Sequence, residues 1–353
     1  MPFENTLQFA KSLDDKDSLK AFRQLFFIPE HSGKEVIYFC GNSLGLEPKA
    51  TKKYIEQELN DWASLAVDGH FDAKNPWYHY KEFLKESVAK LLGAKTNEVV
   101  VMNSLTVNLH LLLVSFYRPT SSRYKIICEY DAFPSDIYAV QSQAKFHGYN
   151  PVEAVIMLKP RKGEYCLRTE DIIKAIDDCG DSLATVMLGA VNFYTGQFFD
   201  LKKIAEAAHR AGATCGFNLA HAAGNIPMQL HNCDVDYACF CSYKYLNAGP
   251  GSVSGIFVHE NHVTDKELPR FAGWWGNDPA TRFDMIKEFI PHQSASAWAL
   301  SNDPVLSMAA LKASLDIFDE AGIENLRKKS EELTAYLEFI LGDINSKIEN
   351  GNI

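Results

Sequence analysis

The chain has 353 residues, 46% of them hydrophobic and 23% charged, which is enough for a large buried core and ordinary for a globular protein. Its formal net charge of -10 argues against nucleic-acid and anionic-membrane partners, because both are held by basic patches. The basic clusters at 159–162 and 327–329 are short and read as solvated surface, and the longest largely apolar run, 111–117, is too short to span a bilayer.

The opening stretch, residues 1–17, mixes charges with apolar residues and lacks the h-region of a signal peptide. The eight cysteines form no Cys-x-x-Cys pair, and most lie in apolar runs. That usage predicts reduced, buried thiols and a cytoplasmic location. Residues 35–40 read as a strand, and 51–67 and 77–92 as helices, the second closed by Gly93. Strands are then expected at 99–102, 124–128, 154–157, 184–191, 214–217, 237–241 and 254–259. Helices are expected at 105–117, 135–147, 169–178, 201–212, 304–319 and 323–341. This alternation predicts an α/β domain with a mainly parallel sheet. The expected division is an N-terminal segment (1–50), a large domain (51–304) and the start of a small, incomplete C-terminal α/β domain (305–353).

Lys244 carries the strongest chemical signal. It follows an apolar run with no charge after Asp236 and is flanked by Tyr243 and Tyr245, with Gly249-Pro250-Gly251 beyond. Desolvation lowers a lysine's pKa and makes its amine a carbonyl nucleophile, the setting of a Schiff base with pyridoxal 5'-phosphate. Asn218 and His221 end another strand, where ligands of α/β sheets collect. The segment 102–108 follows a strand and opens a helix, so Ser104 and Thr106 suit either a phosphate site or a simple cap. Residues 131–136 enter a helix likewise. Phe133 can stack on a planar ring and Asp136 can accept from it, although a capping Ser135 or Asp136 explains the same letters.

Other motifs fit less well. Gly41-Asn42-Ser43-Leu44-Gly45 matches a serine-hydrolase elbow, but Pro48 interrupts the helix that should follow at once. No strand is followed by G-x-G-x-x-G, and His259-Glu260-Asn261-His262 is one residue short of the zinc motif, so no metal is expected.

Several stretches together resemble kynureninase, a pyridoxal-phosphate enzyme of the aspartate-aminotransferase fold (fold type I). They are residues 39–46, 102–111, 132–136, 193–197, 219–225, 241–249 and Gly273-Trp274. The resemblance implies that Lys244 carries the cofactor. Leu105, Thr106 and Tyr243 would hold the phosphate, with Trp274 donating from the partner subunit's side. Phe133 would stack on the ring in the turn with Pro134 and Ser135, and Asp136, Gly189 and His221 would line it. His70, Ser301 and Asn302 would contact the aromatic end of the substrate, Asn302 would also lie near the cofactor, and Ser43 would lie close by. It further implies a homodimer with its active sites at the interface.

The implied reaction is hydrolysis of L-kynurenine or 3-hydroxy-L-kynurenine to anthranilate or 3-hydroxyanthranilate plus L-alanine. Lys244 would move the α proton, and Tyr243 or Lys244 would return protons. Where the family has an aspartate facing the ring nitrogen, this chain has Asn218, and no residue matches the family's carboxylate-clamping arginine. Loss of a charge-assisted bond is worth roughly 1.5–3 kcal/mol, about one to two powers of ten in rate. The other function class to weigh is a non-catalytic protein of the same fold that binds the cofactor and pairs with a complete subunit.

Overall fold

Runs such as LATVMLG, TCGFN, YACF and GIFV contain no charged residue, and a strand covered on both faces needs apolar side chains on both. In the computed structural model, which describes residues 2–349, these runs form the middle of a seven-stranded sheet. A small antiparallel ribbon comes first, β1 (Glu30–His31) and β2 (Lys34–Glu35). The sheet comprises β3 (Val99–Val101), β4 (Lys125–Glu129), β5 (Val155–Leu158), β6 (Leu183–Gly189), β7 (Thr214–Asn218), β8 (Tyr237–Phe240) and β9 (Gly255–Val258), in the order β3-β9-β8-β7-β6-β4-β5. β9 is antiparallel to both β3 and β8, and the other pairs are parallel.

The helices are α1 (Leu7–Lys16), α2 (Thr51–Leu65), α3 (Gly69–Asp72), α4 (Glu82–Leu92), α5 (Leu105–Phe116), α6 (Pro134–Phe146), α7 (Pro151–Ala154), α8 (Thr169–Cys179), α9 (Leu201–Arg210), α10 (Glu260–Val263), α11 (Val305–Ala321) and α12 (Ile323–Glu349). They cover the sheet on both sides and create two cores. Val186, Leu188, Phe217 and Phe240 point to one, against Leu84, Ile176, Ile204 and Leu311. Met187, Tyr237, Cys239 and Ile256 point to the other, against Leu109, Val140 and Trp298. The strict alternation is the period of two that a strand imposes. Gly216 is required by one close approach: a Cβ there would lie 2.1 Å from the Tyr237 ring. That ring stacks on Phe116 at 4.6 Å, and its hydroxyl lies 3.0 Å from Thr185 Oγ1.

The sheet and the alternation are as the sequence predicts, and three elements differ. The expected strand at 35–40 is paired only at Lys34–Glu35; Ile37 and Phe39 are 82% and 86% exposed, and among the described residues no strand lies beside them. Helix α1 was not legible because its apolar Phe9 is satisfied far away in sequence, against Tyr336 of α12 at 5.7 Å. The helix expected at 323–341 runs on to Glu349. Helix α11 packs against α2 and α4, and Met308, Leu311 and Leu315 join the first core.

At the amino end of β8, Asp236 accepts hydrogen bonds from Cys215 N–H at 2.7 Å, His209 Nε2 at 2.8 Å and His262 Nε2 at 2.6 Å. Burial by itself would raise the carboxyl, but these bonds prevail and hold it at about 2, while the bond to Asp236 raises His209 above its ordinary value. Nearby, Glu98, His231 and His259 bring ligand-type atoms within 4.8 Å of one another. Their geometry is structural. Glu98 already accepts from the backbone of Lys95 and Glu260, and the imidazoles are stacked with planes 5° apart, so their lone pairs do not converge.

The depressed Asp236 value contributes stability above its unfolded value of about 3.9, and this is lost as pH falls through about 2. The raised His209 value contributes fully below about 6.5 and is lost as pH rises through the folded value. Asp236→Asn should therefore cost about 1–3 kcal/mol at pH 5.5, with a smaller deficit above pH 8. Thermal melts of both proteins at the two pH values measure it; an equal deficit at both would exclude the ion-pair account.

Candidate active site

Strands β4, β6, β7 and β8 run in the same direction, so their carboxyl ends lie along one edge of the sheet, where open α/β sheets bind ligands. The register sets Gly189 beside Asn218 and Asn218 beside Cys239. A cavity of about 450 Å³ opens there. Ser43, Leu105, Thr106, Phe133, Ser135, Asp136, Gly189, Asn218, His221, Tyr243 and Lys244 line it, so most of the residues named from the sequence come together.

One wall is the start of α5. Ser104 precedes the helix without capping it through its side chain, so the first N–H groups of the helix are left for an anion. The left-handed backbone of Asn103 (φ 49°) turns the chain from β3 into this helix. Ser254 lies beside the turn, its N–H donating to the Asn103 carbonyl at 2.9 Å. It also lines the cavity, is 1% exposed, and its hydroxyl has no hydrogen-bond partner among the described residues. A buried orphan hydroxyl beside an uncapped helix start is a donor set that suits a phosphate.

The opposite wall is the turn after β8. Ser242 anchors it by donating to the Val253 carbonyl, and Ala248 N–H closes it on the Ser242 carbonyl at 3.1 Å. Lys244 Nζ stands 3.0 Å from His221 Nε2 and 5.9 Å from the centre of the Phe133 ring. Burial lowers the lysine from its ordinary value and pushes His221 down to about 4, with the lysine charge adding to the second effect. The pair is therefore a neutral imidazole facing an amine that is readily deprotonated. Burial also raises Tyr243 to about 12, which keeps its hydroxyl protonated.

The floor holds the polar groups that would meet a heterocycle. Helix α6 starts after Phe133 with Pro134 in its first turn and no side-chain cap, so neither Ser135 nor Asp136 serves as the cap. The Asp136 carboxylate instead accepts from Asn218 Nδ2, with both oxygens at 2.9 Å. Burial pushes that carboxyl up to about 6, against the opposing pull of Asn218 and Lys244. Sequence reasoning missed Glu129, which ends β4, is 3% exposed and accepts from Gly189 N–H at 2.7 Å and Asn192 Nδ2 at 2.8 Å. Its only signal was an acid closing an apolar strand.

Four of the named residues lie elsewhere in the same chain. His70 and Asn302 line a second cavity of about 220 Å³ with Trp62, Trp77 and Trp275. Trp274 is 43% exposed and donates to the Arg282 carbonyl at 3.1 Å, and Ser301 is exposed beside Asn302. Ser43 does reach the Lys244 cavity, but no strand–turn–helix surrounds it: β2 ends at Glu35 and the next helix starts at Thr51. That removes the elbow geometry a serine hydrolase needs.

A desolvated amine, a half-exposed phenyl ring, an uncapped helix start and an orphan hydroxyl around one cavity fit pyridoxal phosphate, and define an enzyme of the fold-type-I class that uses it. The Aminotransferase class-V family model matches residues 37–350. Among solved structures, the fold is similar to the apo cysteine desulfurase of Thermococcus onnurineus NA1 (TM-score 0.72, 16% identity, 98% of this chain and 78% of that one). It is also similar to a C-DES mutant with glycine covalently linked to the PLP cofactor (TM-score 0.66, 17% identity, 81% and 71%). Three curated relatives are the kynureninases of Flavobacterium psychrophilum (55% identical, covering 99% of this chain and 82% of that protein), Myxococcus xanthus (56%, 96% and 80%) and Nematostella vectensis (46%, 98% and 78%). The chain belongs to the kynureninase family.

One glycine is decisive for the lysine turn. Gly45 N–H donates to the Tyr243 carbonyl at 2.9 Å, and a Cβ at Gly45 would lie 2.3 Å from the Lys244 carbonyl and 2.8 Å from Asn247 Cα. Gly45→Ala must push the 41–45 loop away from that turn, an overpacking that costs about 1–3 kcal/mol. Cofactor titration should show binding weakened about tenfold or more, while circular dichroism stays native; unchanged affinity would mean the two loops are not mechanically coupled.

Proposed function

We propose that this chain hydrolyses L-kynurenine or 3-hydroxy-L-kynurenine to anthranilate or 3-hydroxyanthranilate and L-alanine, a step of tryptophan catabolism that feeds NAD biosynthesis. The observation that carries the reading is Lys244 Nζ, depressed by burial and 3.0 Å from a neutral His221, in a chain 55% identical to a kynureninase along nearly all its length.

Pyridoxal phosphate, when bound, supplies the electron sink for breaking bonds at the substrate's α and β carbons. The chain's own residues do the rest. Leu105 and Thr106 at the start of α5, with Tyr243, hold the phosphate. Phe133 covers one face of the ring, with Pro134 and Ser135 setting its turn. Asp136, Gly189, Asn218 and His221 surround the ring edge. Lys244 would carry the cofactor and move the α proton, and burial favours its neutral amine. His221 holds the amine in place. Tyr243, still protonated at neutral pH, donates a proton as water adds to the γ carbonyl and the Cβ–Cγ bond breaks.

A homodimer completes the site in this reading. His70, Ser301, Asn302 and Trp274 lie outside the Lys244 cavity, beside exposed rings: Phe283 packs at 5.5 Å on Trp274 and at 6.2 Å on Phe71, and all three are at least 43% exposed. A second copy would bring these residues to the substrate's aromatic end and to the phosphate. The same reading makes residues 1–50 an N-terminal segment, 51–304 the cofactor-binding domain and 305–353 part of a small domain. It sets the protein in the cytoplasm, in line with eight unpaired cysteines. No helix among the described residues is long and apolar enough to cross a membrane.

The test is turnover. Protein reconstituted with pyridoxal phosphate and given 3-hydroxykynurenine or kynurenine should release the fluorescent anthranilate product, and Lys244→Ala should lower the rate by about 10²–10⁴-fold or more. Cofactor uptake with no product from either substrate would overturn the assignment. Light scattering of the active protein should give twice the chain mass; full activity in a monomer would exclude the shared site.

A further inference from the structure

The amide of Asn218 has its orientation dictated by two partners of opposite kind. The N–H of Ala220 can only donate, so it takes Oδ1, at 2.9 Å. The carboxylate of Asp136 can only accept, so it takes Nδ2, with both oxygens at 2.9 Å. Turning the amide over would set oxygen against carboxylate and NH₂ against N–H, and both bonds would be lost. Asn218 is 5% exposed, so the two protein partners dominate its surroundings.

The two oxygens of one carboxylate lie too close together to take one hydrogen each from an NH₂ group whose N–H bonds diverge. One N–H is therefore shared by both oxygens, and the second is left for the cavity that Asn218 lines. In pyridoxal phosphate the ring nitrogen is opposite the aldehyde that Lys244 would hold, and Asn218 ends β7, next to β8, whose following turn carries Lys244.

We propose that Asn218 meets the ring nitrogen as a hydrogen-bond donor, held in that orientation by Asp136, so that this chain carries the ring with its nitrogen unprotonated. This rests on the cofactor reading above. A donor facing the nitrogen lone pair stabilises the neutral ring, whereas a carboxylate in the same place stabilises the protonated one. Asp136 lines the same cavity, but both of its oxygens are already engaged by Nδ2 of Asn218. The consequence is a milder electron sink than a ring held by a carboxylate offers.

The nitrogen-15 chemical shift of the ring-labelled cofactor in the holoenzyme reads the protonation directly, whatever the turnover. The expected result is the downfield resonance of an unprotonated pyridine in the wild type. An upfield move to the pyridinium position is expected in Asn218→Asp. That variant sets two carboxylates side by side; the double variant Asn218→Asp with Asp136→Asn exchanges the two groups without adding charge and should give the same upfield move. A pyridinium resonance already present in the wild type overturns the proposal while leaving the enzymatic assignment intact. A wild-type chain that takes up no cofactor overturns both.

Discussion

The constraint on which everything else depends is the common direction and register of β4, β6, β7 and β8. Strands hydrogen-bonded in parallel end at the same level, so Glu129, Gly189, Asn218 and the turn bearing Lys244 arrive at one edge although 115 residues separate the first from the last. The register is itself enforced by the two cores. A slip of one residue would send Phe217 and Phe240 to the face that Tyr237 and Cys239 occupy, and every side chain at the strand ends would turn away from the cavity. The site is thus a product of packing on both faces of the sheet.

Within that edge, burial is the force that makes the chemistry. It depresses Lys244 and His221 and raises Asp136, Glu129 and Tyr243, in each case disfavouring the charged form. The carboxyls of Glu129 and Asp136 both find N–H donors inside the protein. The cavity consequently holds an amine that deprotonates readily, a protonated phenol and a neutral imidazole. At the other end of the sheet the same burial is overcome by hydrogen bonds at Asp236, and the result is a structural ion cluster.

Much of the fold was legible. Apolar strands of the right length alternating with helical periods identify a parallel α/β sheet, and they place Lys244 and Asn218 at strand ends. The resemblance then supplied the site residues, many of which line one cavity while Trp274 and Asn302 lie outside it. Other features could not be read. Helix α1 is stabilised by α12 across more than three hundred residues, which no local pattern reports. The apolar alternation at 35–40 looks like a strand, yet Ile37 and Phe39 find no strand beside them among the described residues. Glu129 gave no motif, since its role comes from Gly189 and Asn192 on a different strand and loop.

The sequence by itself determined the architecture, the carbonyl-reactive lysine and the presence of an amide at position 218, because these depend on periodicity and side-chain identity. The tertiary structure decided what those groups do to one another. The depression of Lys244 depends on walls brought from segments far apart in sequence, and the division of His70 and Asn302 from the Lys244 cavity depends on chain path. Above all, the direction in which the Asn218 amide points depends on the Asp136 carboxylate 82 residues away in sequence. Electrostatics and hydrogen-bond polarity act through space, and only the folded chain defines which groups are close.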